Sequence, residues 1–529
     1  MTSPDLKTAI FVGIVLVVTL HLGLGLLPLV GPDEPRYVRI GQEMFQSGDY
    51  VTPTLNGRAW LEKPPLLFWV QAATLHLFPA SEWSARLPVS ILAILTALGC
   101  AYLLGSMVGA RVGLLAILIV STTPFFFAFS RAASTDLPLA AFLSLAMLSI
   151  YKGHQTGNLG WVILSSVALA LAVLSKGPVA LILLLGTVIS FWVLTGSFLL
   201  TLKQSIMGIV VFLAVSLPWF FLVWEANGQE FIATFWLNHH LARFITDVHH
   251  HSQPVWFYVP ILLIGCTPWI IFAATNAWRN WRYLSGAGVD SKRVDLYLWV
   301  WIVVTFAFFS LSRSKLPGYV LPAALPIAFL AAIEVDRLLS KDVQSLRITR
   351  LVVPVLVGES CVIAIFSLIY MIVTHGSQSM GIILAIPWLI LASGVWWVRC
   401  EPRKLVAVLI ISMTILAGLA SFIVAPEVGG FHSSKKLVEG IRQHISIKEP
   451  LIFYRFFHHS ALYYTDYKAL PEAIENVADL RAYMHTKNQN SYWILTEKNG
   501  LEELQSVFET NQSGQGTQFL VEVKHPPDL

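Results

Sequence analysis

The chain has 529 residues, of which 56% are hydrophobic and only 12% charged, about half the charged share of a soluble globular protein. With a mean hydropathy of +0.67, a soluble enzyme is excluded. The 35 basic and 31 acidic residues nearly balance, for a formal charge of +4, so no nucleic-acid partner is expected.

A membrane-crossing helix needs about 20 apolar residues. Runs bounded by charge, Gly or Pro predict helices near 8–30, 86–108, 112–130, 135–151, 160–175, 178–196, 204–224, 256–276, 294–312, 317–334, 349–373, 380–398 and 404–424. That makes about 13 transmembrane helices. The expected fold class is a mostly α polytopic membrane protein with interfacial helices in its first outer loop and a small α/β extracytoplasmic domain at its C-terminus. The first run is followed by Gly-Pro-Asp-Glu-Pro and has no small-x-small cleavage pattern, so it reads as an uncleaved anchor. Cys100, Cys266 and Cys361 fall inside apolar runs and Cys400 at the end of one, which leaves no disulfide framework and no CxxC metal site.

In the loop 31–85, Tyr37, Ile40, Met44 and Phe45 recur at helical spacing behind a turn at Gly31 and Pro32, predicting a short amphipathic helix. Asn56 and Gly57 signal a turn. The segment 64–79 is strongly apolar but short for a span, and is expected to lie on the membrane with Trp69 and His76 at headgroup level. If it crossed instead, the N-terminus would change sides while Asp33 and Lys63 still shared a face.

Lys and Arg sort the later loops. Arg279, Arg282, Lys292 and Arg293 fall in one, Arg337, Lys341 and Arg347 in a second, and Arg399, Arg403 and Lys404 in a third, two helices apart each time. These loops are expected to be cytoplasmic. The N-terminus is then inside, and the loops 31–85, 131–134, 225–255 and 312–317 lie outside with the C-terminal region. The division expected is a membrane domain over 1–426 and a soluble domain over 427–529. In the latter, 451–457, 461–465, 491–496 and 518–523 read as strands, and 434–444 and 500–510 as helices.

Ionisable residues are nearly absent from mid-span and gather at the outer ends: Asp33, Glu34, Arg36, Glu62, Lys63, Asp136, Lys176, Arg243 and Lys315. A transporter more often places such groups at the bilayer midplane, so the chemistry is expected at the outer boundary. Asp33 and Glu34, beside Arg36, can supply a general base, or form an ordinary solvated loop. Lys63, stiffened by Pro64 and Pro65, can bind a lipid phosphate or anchor the chain at the interface. Asp136 opens a predicted helix where Ser134 or Thr135 can cap, a site whose dipole favours a carboxylate. His239 and His240 lie four and three residues before Arg243, on one helical face, and the planar guanidinium suits phosphate oxygens. His249, His250 and His251 raise a divalent metal as an alternative, without a carboxylate at ligand spacing; no metal or cofactor is assigned. Lys315 and Tyr319, four apart, can hydrogen-bond a phosphate or serve as snorkelling and aromatic-belt residues. Lys176-Gly177-Pro178 reads as a helix break.

Seven motifs in order carry a resemblance: Asp-Glu-x-Arg-Tyr at 33–37, Gly-Asp-Tyr-Val-Thr-Pro-x-x-Asn-Gly at 48–57, Glu-Lys-Pro-Pro-Leu at 62–66, Arg-x-x-x-x-Asp at 131–136, Ser-Lys-Gly-Pro at 175–178, His-x-x-Arg-Phe at 240–244 and Ser-Lys-x-Pro-x-Tyr-x-Leu-Pro at 314–322. Together, over roughly residues 10–330, they resemble the aminoarabinose transferase and protein mannosyltransferase group of the glycosyltransferase C superfamily. The resemblance implies inverting transfer of a sugar from a polyprenyl-phosphate donor to a glycolipid or protein acceptor, on the outer face of a bacterial inner membrane. It makes Asp33 the candidate base and Asp136 a second acid for orientation or substrate binding. Lys63 and Arg243 would neutralise the departing phosphate, with Lys315 and Tyr319 contacting donor phosphate or sugar, and Glu34, Arg36, Glu62, His239 and His240 in support. The sequence lacks the extra lumenal modules of eukaryotic protein mannosyltransferases, which favours a lipid A-like acceptor. A protein O-glycosyltransferase is the enzymatic alternative, and a lipid flippase or transporter the alternative of another class.

Overall fold

The computed structural model describes residues 6–242, 253–284, 293–340, 343–373, 378–446, 449–487, 489, 491–513 and 518–524. Among these, eight helices are long and apolar enough to cross a membrane. The number becomes ten when the bent pairs Ala110–Ser121 with Pro124–Ser130 (65°) and Val255–Gly265 with Trp269–Asn280 (113°) each count as one span. The chain is therefore a multi-pass membrane protein; most predicted apolar runs are helical, but the run 8–30 is helical only as far as Leu20, and 112–130 and 256–276 are each two helices meeting at a bend.

The N-terminal part runs α1 (Leu6–Leu20), α2 (Asp33–Ser47), a hairpin of β1 (Thr54–Leu55) and β2 (Arg58–Ala59), α3 (Leu66–Leu77) and α4 (Glu82–Val108). Helix α2 starts at two acidic residues, favoured at the positive end of a helix dipole, and stops at Gly48 in the left-handed conformation. Its buried stripe of Tyr37, Ile40, Gly41 and Met44 faces α3 and the hairpin, with the Tyr37 ring 5.9 Å from Phe68 and 5.8 Å from Trp60. The hairpin turns at Asn56 and Gly57, both at positive φ (56° and 73°), the geometry an Asn-Gly pair tolerates best. Helix α3 has 12 residues, a rise of about 18 Å against the ~30 Å of a bilayer core.

The bundle continues with α5 (Ala110–Ser121), α6 (Pro124–Ser130), α7 (Asp136–Thr156), α8 (Leu159–Lys176), α9 (Val179–Thr195) and α10 (Leu202–Phe231), the last extended by a π-helical stretch over Ile232–Ala242. Its axis is the helix Leu321–Leu339, where every residue from Leu321 to Val335 is buried. A helix apolar all round belongs in a core, and this one packs against α5, α7 and the helices Trp269–Leu284 and Val294–Leu311. At its far end Glu334 accepts from Arg279 at 2.7 Å and Arg337 at 3.2 Å, and nearby Asp295 accepts from Arg293 at 2.9 Å. Basic residues of two loops predicted to be cytoplasmic thus meet at one end of the bundle.

The C-terminal part is a five-stranded sheet in the order β4 (Ala469–Ile474), β3 (Leu451–Tyr454), β5 (Ser491–Thr496), β7 (Phe519–Lys524), β6 (Thr510–Ser513). Strand β3 pairs parallel with β4 and β5; β7 is antiparallel to β5 and β6. All four β3 residues are buried, because side chains alternate between two covered faces. Ile452 and Tyr454 pack toward Leu480 and Leu504, Leu451 and Phe453 toward Ala461 and Leu462. The strand predicted over 461–465 is instead part of a helix, His459–Tyr464. Its Tyr-rich composition suggests a strand, but helical spacing buries Ser460, Ala461 and Leu462 while Tyr463 and Tyr464 bond to the membrane part. Strands β4 and β6 are not predicted from the sequence: both are edge strands, β6 wholly polar and mostly exposed, β4 interrupted by the exposed Pro471 and Glu472, so neither carries an alternating apolar signal.

Candidate active site

The start of α2 is fixed by a buried ion pair. Glu34 accepts from Arg86 Nε at 2.8 Å and Nη2 at 2.7 Å, from the Ala133 amide at 2.8 Å and from the Val30 amide at 3.2 Å. Arg86 turns its other donors to the carbonyls of Leu24 and Pro28, both at 2.9 Å. A carboxylate with four donors is structural: Glu34 ties the chain after α1 to α4 and to the loop before α7. Asp33 differs. Its side chain is 43% exposed and is paired with Arg36 at 2.6 Å. Of the two adjacent acids the sequence offers as a base, the geometry leaves Asp33 accessible.

Behind Asp33, Tyr37 is buried within electrostatic range of Asp33, Arg36, Asp136 and Glu62. Burial and the nearby carboxylates hold its phenol well above the ordinary range, so it stays a neutral donor. Asp136 begins α7, but no Thr135 side-chain cap forms and among the described residues the buried Ser134 hydroxyl has no hydrogen-bond partner, so a side-chain cap does not explain this acid. Asp136 instead forms an ion pair with Lys176, whose ammonium lies 4.5 Å from the centre of the Tyr319 ring. The sequence shows Lys176 as an outer-end charge and reads it as a helix break; it is that, with Gly177 following at φ 91°, and its ammonium also reaches Asp136. Gly318 packs so tightly there that a Cβ would stand 2.8 Å from the Asp136 carboxylate and from Phe129.

Asp33 and Asp136 line one cavity of about 460 Å³, together with Arg131 and an apolar wall including Leu24, Leu27, Phe127 and Phe129. A larger cleft of about 850 Å³ lies along 153–159 and 198–205, lined by His154 and Lys203 and by no carboxylate. Lys63 is buried, its ammonium donating to the Glu62 carbonyl at 3.3 Å. Glu62 faces His239 of the π-helical stretch at 3.6 Å, which brings the far end of α10 to the first loop. Lys315 donates to the carbonyls of Gln253 (3.0 Å) and Ser312, and burial lowers its pKa. Arg243, the side chain of His240, and His249, His250 and His251 lie outside the described residues. Among the described residues no cluster of three His, Cys, Asp or Glu side chains suited to a metal occurs.

Residues 62–224 match the family model described as dolichyl-phosphate-mannose-protein mannosyltransferase. The undecaprenyl phosphate-alpha-4-amino-4-deoxy-L-arabinose arabinosyl transferase of Edwardsiella ictaluri is 30% identical over 62% of this chain and 60% of its own length. A second such transferase, from Proteus mirabilis, is 30% identical over 68% of this chain and 64% of its own length. The crystal structure of ArnT from Cupriavidus metallidurans bound to undecaprenyl phosphate superposes with a TM-score of 0.80 over 98% of both chains, at 24% identity. The chain is thus similar in sequence to aminoarabinose transferases and, over 62–224, to the mannosyltransferase model, and it shares the ArnT fold. The sequence alignments span less than two thirds of these curated relatives, while the shared fold extends over nearly the whole chain. Within the site, Tyr37 and Gly318 are the residues that reasoning on charge alone passes over. Tyr37 lies in the first motif, which was the available signal, whereas Gly318 occupies an unspecified position of the last.

Proposed function

We propose that this protein is an inverting glycosyltransferase that moves an aminoarabinose-type sugar from undecaprenyl phosphate to a lipid A-like glycolipid. The observation that carries the reading is the shared cavity: Asp33 and Asp136 at the rim of an apolar wall, with the Lys176 ammonium on Asp136. A donor with an isoprenoid tail needs that combination, because the tail stays in lipid while its phosphosugar reaches charged groups. In the reaction, the acceptor O–H gives its proton to Asp33. The oxygen bonds the anomeric carbon as the bond to the phosphate oxygen breaks on the opposite side, and its electron pair leaves with the polyprenyl phosphate. Lys63 and Arg243 meet the charge developing on that phosphate, Lys315 and Tyr319 contact donor phosphate or sugar, and Asp136 orients the sugar.

In this reading the protein lies in the bacterial inner membrane, with the site and the C-terminal domain outside. The shorter apolar helices Leu6–Leu20, Val179–Thr195 and Gly381–Trp397 cross as well, for about 13 spans, and α3 lies at the interface. Residues 1–426 form the membrane domain and 427–529 the outer one.

The test is a pair of neighbouring substitutions in the purified protein. Asp33→Asn should lower sugar transfer by at least ~10²-fold with an unchanged unfolding temperature. Glu34→Gln should instead destabilise by about 3 kcal/mol, since it leaves Arg86 buried without its counter-charge. Normal turnover in Asp33→Asn refutes the assignment. The family model's description favours a second reading, a protein O-glycosyltransferase; purified lipid A and periplasmic proteins, offered as competing acceptors, separate the two.

A further inference from the structure

The helix His459–Tyr464 of the C-terminal domain lies along α2, and its contacts set the register. Tyr464 Oη accepts from the Leu29 amide at 2.8 Å and donates to Glu82 at 2.9 Å. Tyr463 Oη accepts from Gln42 at 3.3 Å. Beyond the helix, the Tyr467 ring lies 4.2 Å beneath the Arg39 guanidinium. One turn before Tyr463, His459 comes within electrostatic range of Arg36 and Asp33.

The two adjacent histidines have different surroundings. His458 is held by the hydroxyls of Ser460 at 2.6 Å and Ser434 at 3.3 Å. The His459 ring packs edge-on to Phe457 at 4.9 Å, and among the described residues no hydrogen bond engages its nitrogens. Burial, Arg36 and His458 pull its pKa down to about 4, against the opposing pull of Asp33. At neutral pH it therefore presents one N–H and one lone pair.

Its approach decides which substrate it meets. The apolar wall of Leu24, Leu27, Phe127 and Phe129 lines the cavity that holds Asp33. His459 is not part of that lining; it reaches Asp33 from the C-terminal domain, on a helix packed along α2. In an inverting displacement the nucleophile and the leaving phosphate occupy opposite faces of the anomeric carbon, so a group facing Asp33 from the outer domain is on the nucleophile's side.

We propose that His459 is a positioning residue for the acceptor, hydrogen-bonding the incoming glycolipid beside Asp33 so that the outer domain takes part in acceptor choice. The inference rests on the transferase reading above. It is tested with the full-length protein, undecaprenyl-phosphate-linked aminoarabinose as donor and purified lipid A as acceptor. His459→Ala should raise the KM for lipid A by about three- to ten-fold, the weight of one hydrogen bond, while the donor KM moves less than about two-fold. His459→Gln, which keeps a donor and an acceptor, should recover most of the loss. His485→Ala, on an exposed position of the same domain, should change neither constant. An unchanged acceptor KM in His459→Ala, or a change in the donor KM instead, overturns the role of His459 alone. A wild-type protein that transfers nothing to lipid A overturns the transferase reading itself and this acceptor with it.

Discussion

Lys176 and Asp136 stand 40 residues apart in the chain, at the end of one helix and the start of another, and their side chains are only 13% and 15% exposed. Removing one partner of such a pair leaves the other charge in a poor solvent, at a cost of several kcal/mol for full burial. Residual exposure places this pair at the low end, so Lys176→Met should cost about 3 kcal/mol. The double variant Asp136→Asn with Lys176→Met should regain most of that stability without regaining sugar transfer. Thermal unfolding of the four proteins in one detergent measures the coupling; additive losses would show that the pair is not an energetic unit. The sequence displays both charges at the outer ends of apolar runs, which makes them candidates. Their pairing is a product of helix packing, with Gly318 admitting the close approach, and no local spacing signals it. The same limit explains why Asp33 and Glu34 look equivalent as adjacent carboxylates: only Arg86, 52 residues away from Glu34, separates their roles.

The loop 31–85 is held as a unit by Glu43. Its carboxylate accepts from Thr54 Oγ1 at 2.9 Å, from the amides of Asn56 at 2.8 Å and Gly57 at 3.1 Å, and from Arg39 Nε at 2.7 Å. Burial pushes the Glu43 pKa up, but these hydrogen bonds outweigh it and the net shift is downward. A carboxylate whose folded pKa lies below its unfolded value stabilises fully above the unfolded value, about 4.3, and loses that contribution as pH falls through the folded pKa. Glu43→Gln should therefore cost about 2 kcal/mol at pH 7, the weight of hydrogen bonds to a charged group, and the difference from wild type should shrink as pH is lowered below about 4. Limited proteolysis at 54–59 as a function of pH reads the release of the hairpin, and a pH-independent difference would assign the cost to shape rather than charge. At this scale much was legible in advance. The stripe of Tyr37, Ile40 and Met44 gives α2, and Asn56 with Gly57 gives the turn. The His459–Tyr464 helix was not legible, because its two tyrosines serve contacts with α2 and α4 and carry no periodicity of their own.

Across the whole molecule the charges form two layers joined by one buried helix. Gly318 and Tyr319, just before the helix Leu321–Leu339, touch Asp136 and Lys176; near its other end Glu334 pairs with Arg279 and Arg337. A helix of 19 residues rises about 28 Å, close to the ~30 Å of a bilayer core. The candidate site and the arginine-rich end thus stand one membrane thickness apart. The bias of Lys and Arg toward cytoplasmic loops predicts that the arginine end faces the cytoplasm. The four cysteines supply a test: Cys100 and Cys266 are buried and Cys361 is half-buried, whereas Cys400 is exposed between Arg399 and Arg403 in a loop expected on the cytoplasmic side. In intact spheroplasts a membrane-impermeant maleimide should leave Cys400 unmodified and label it after permeabilisation. A Ser506→Cys variant, on an exposed face of the C-terminal domain, should be labelled without permeabilisation. Counting spans back from Cys400 then gives the side of each earlier loop, Asp33 included. The reverse labelling pattern would put that carboxylate in the cytosol, and an outward-facing acceptor would then have no access to the cavity.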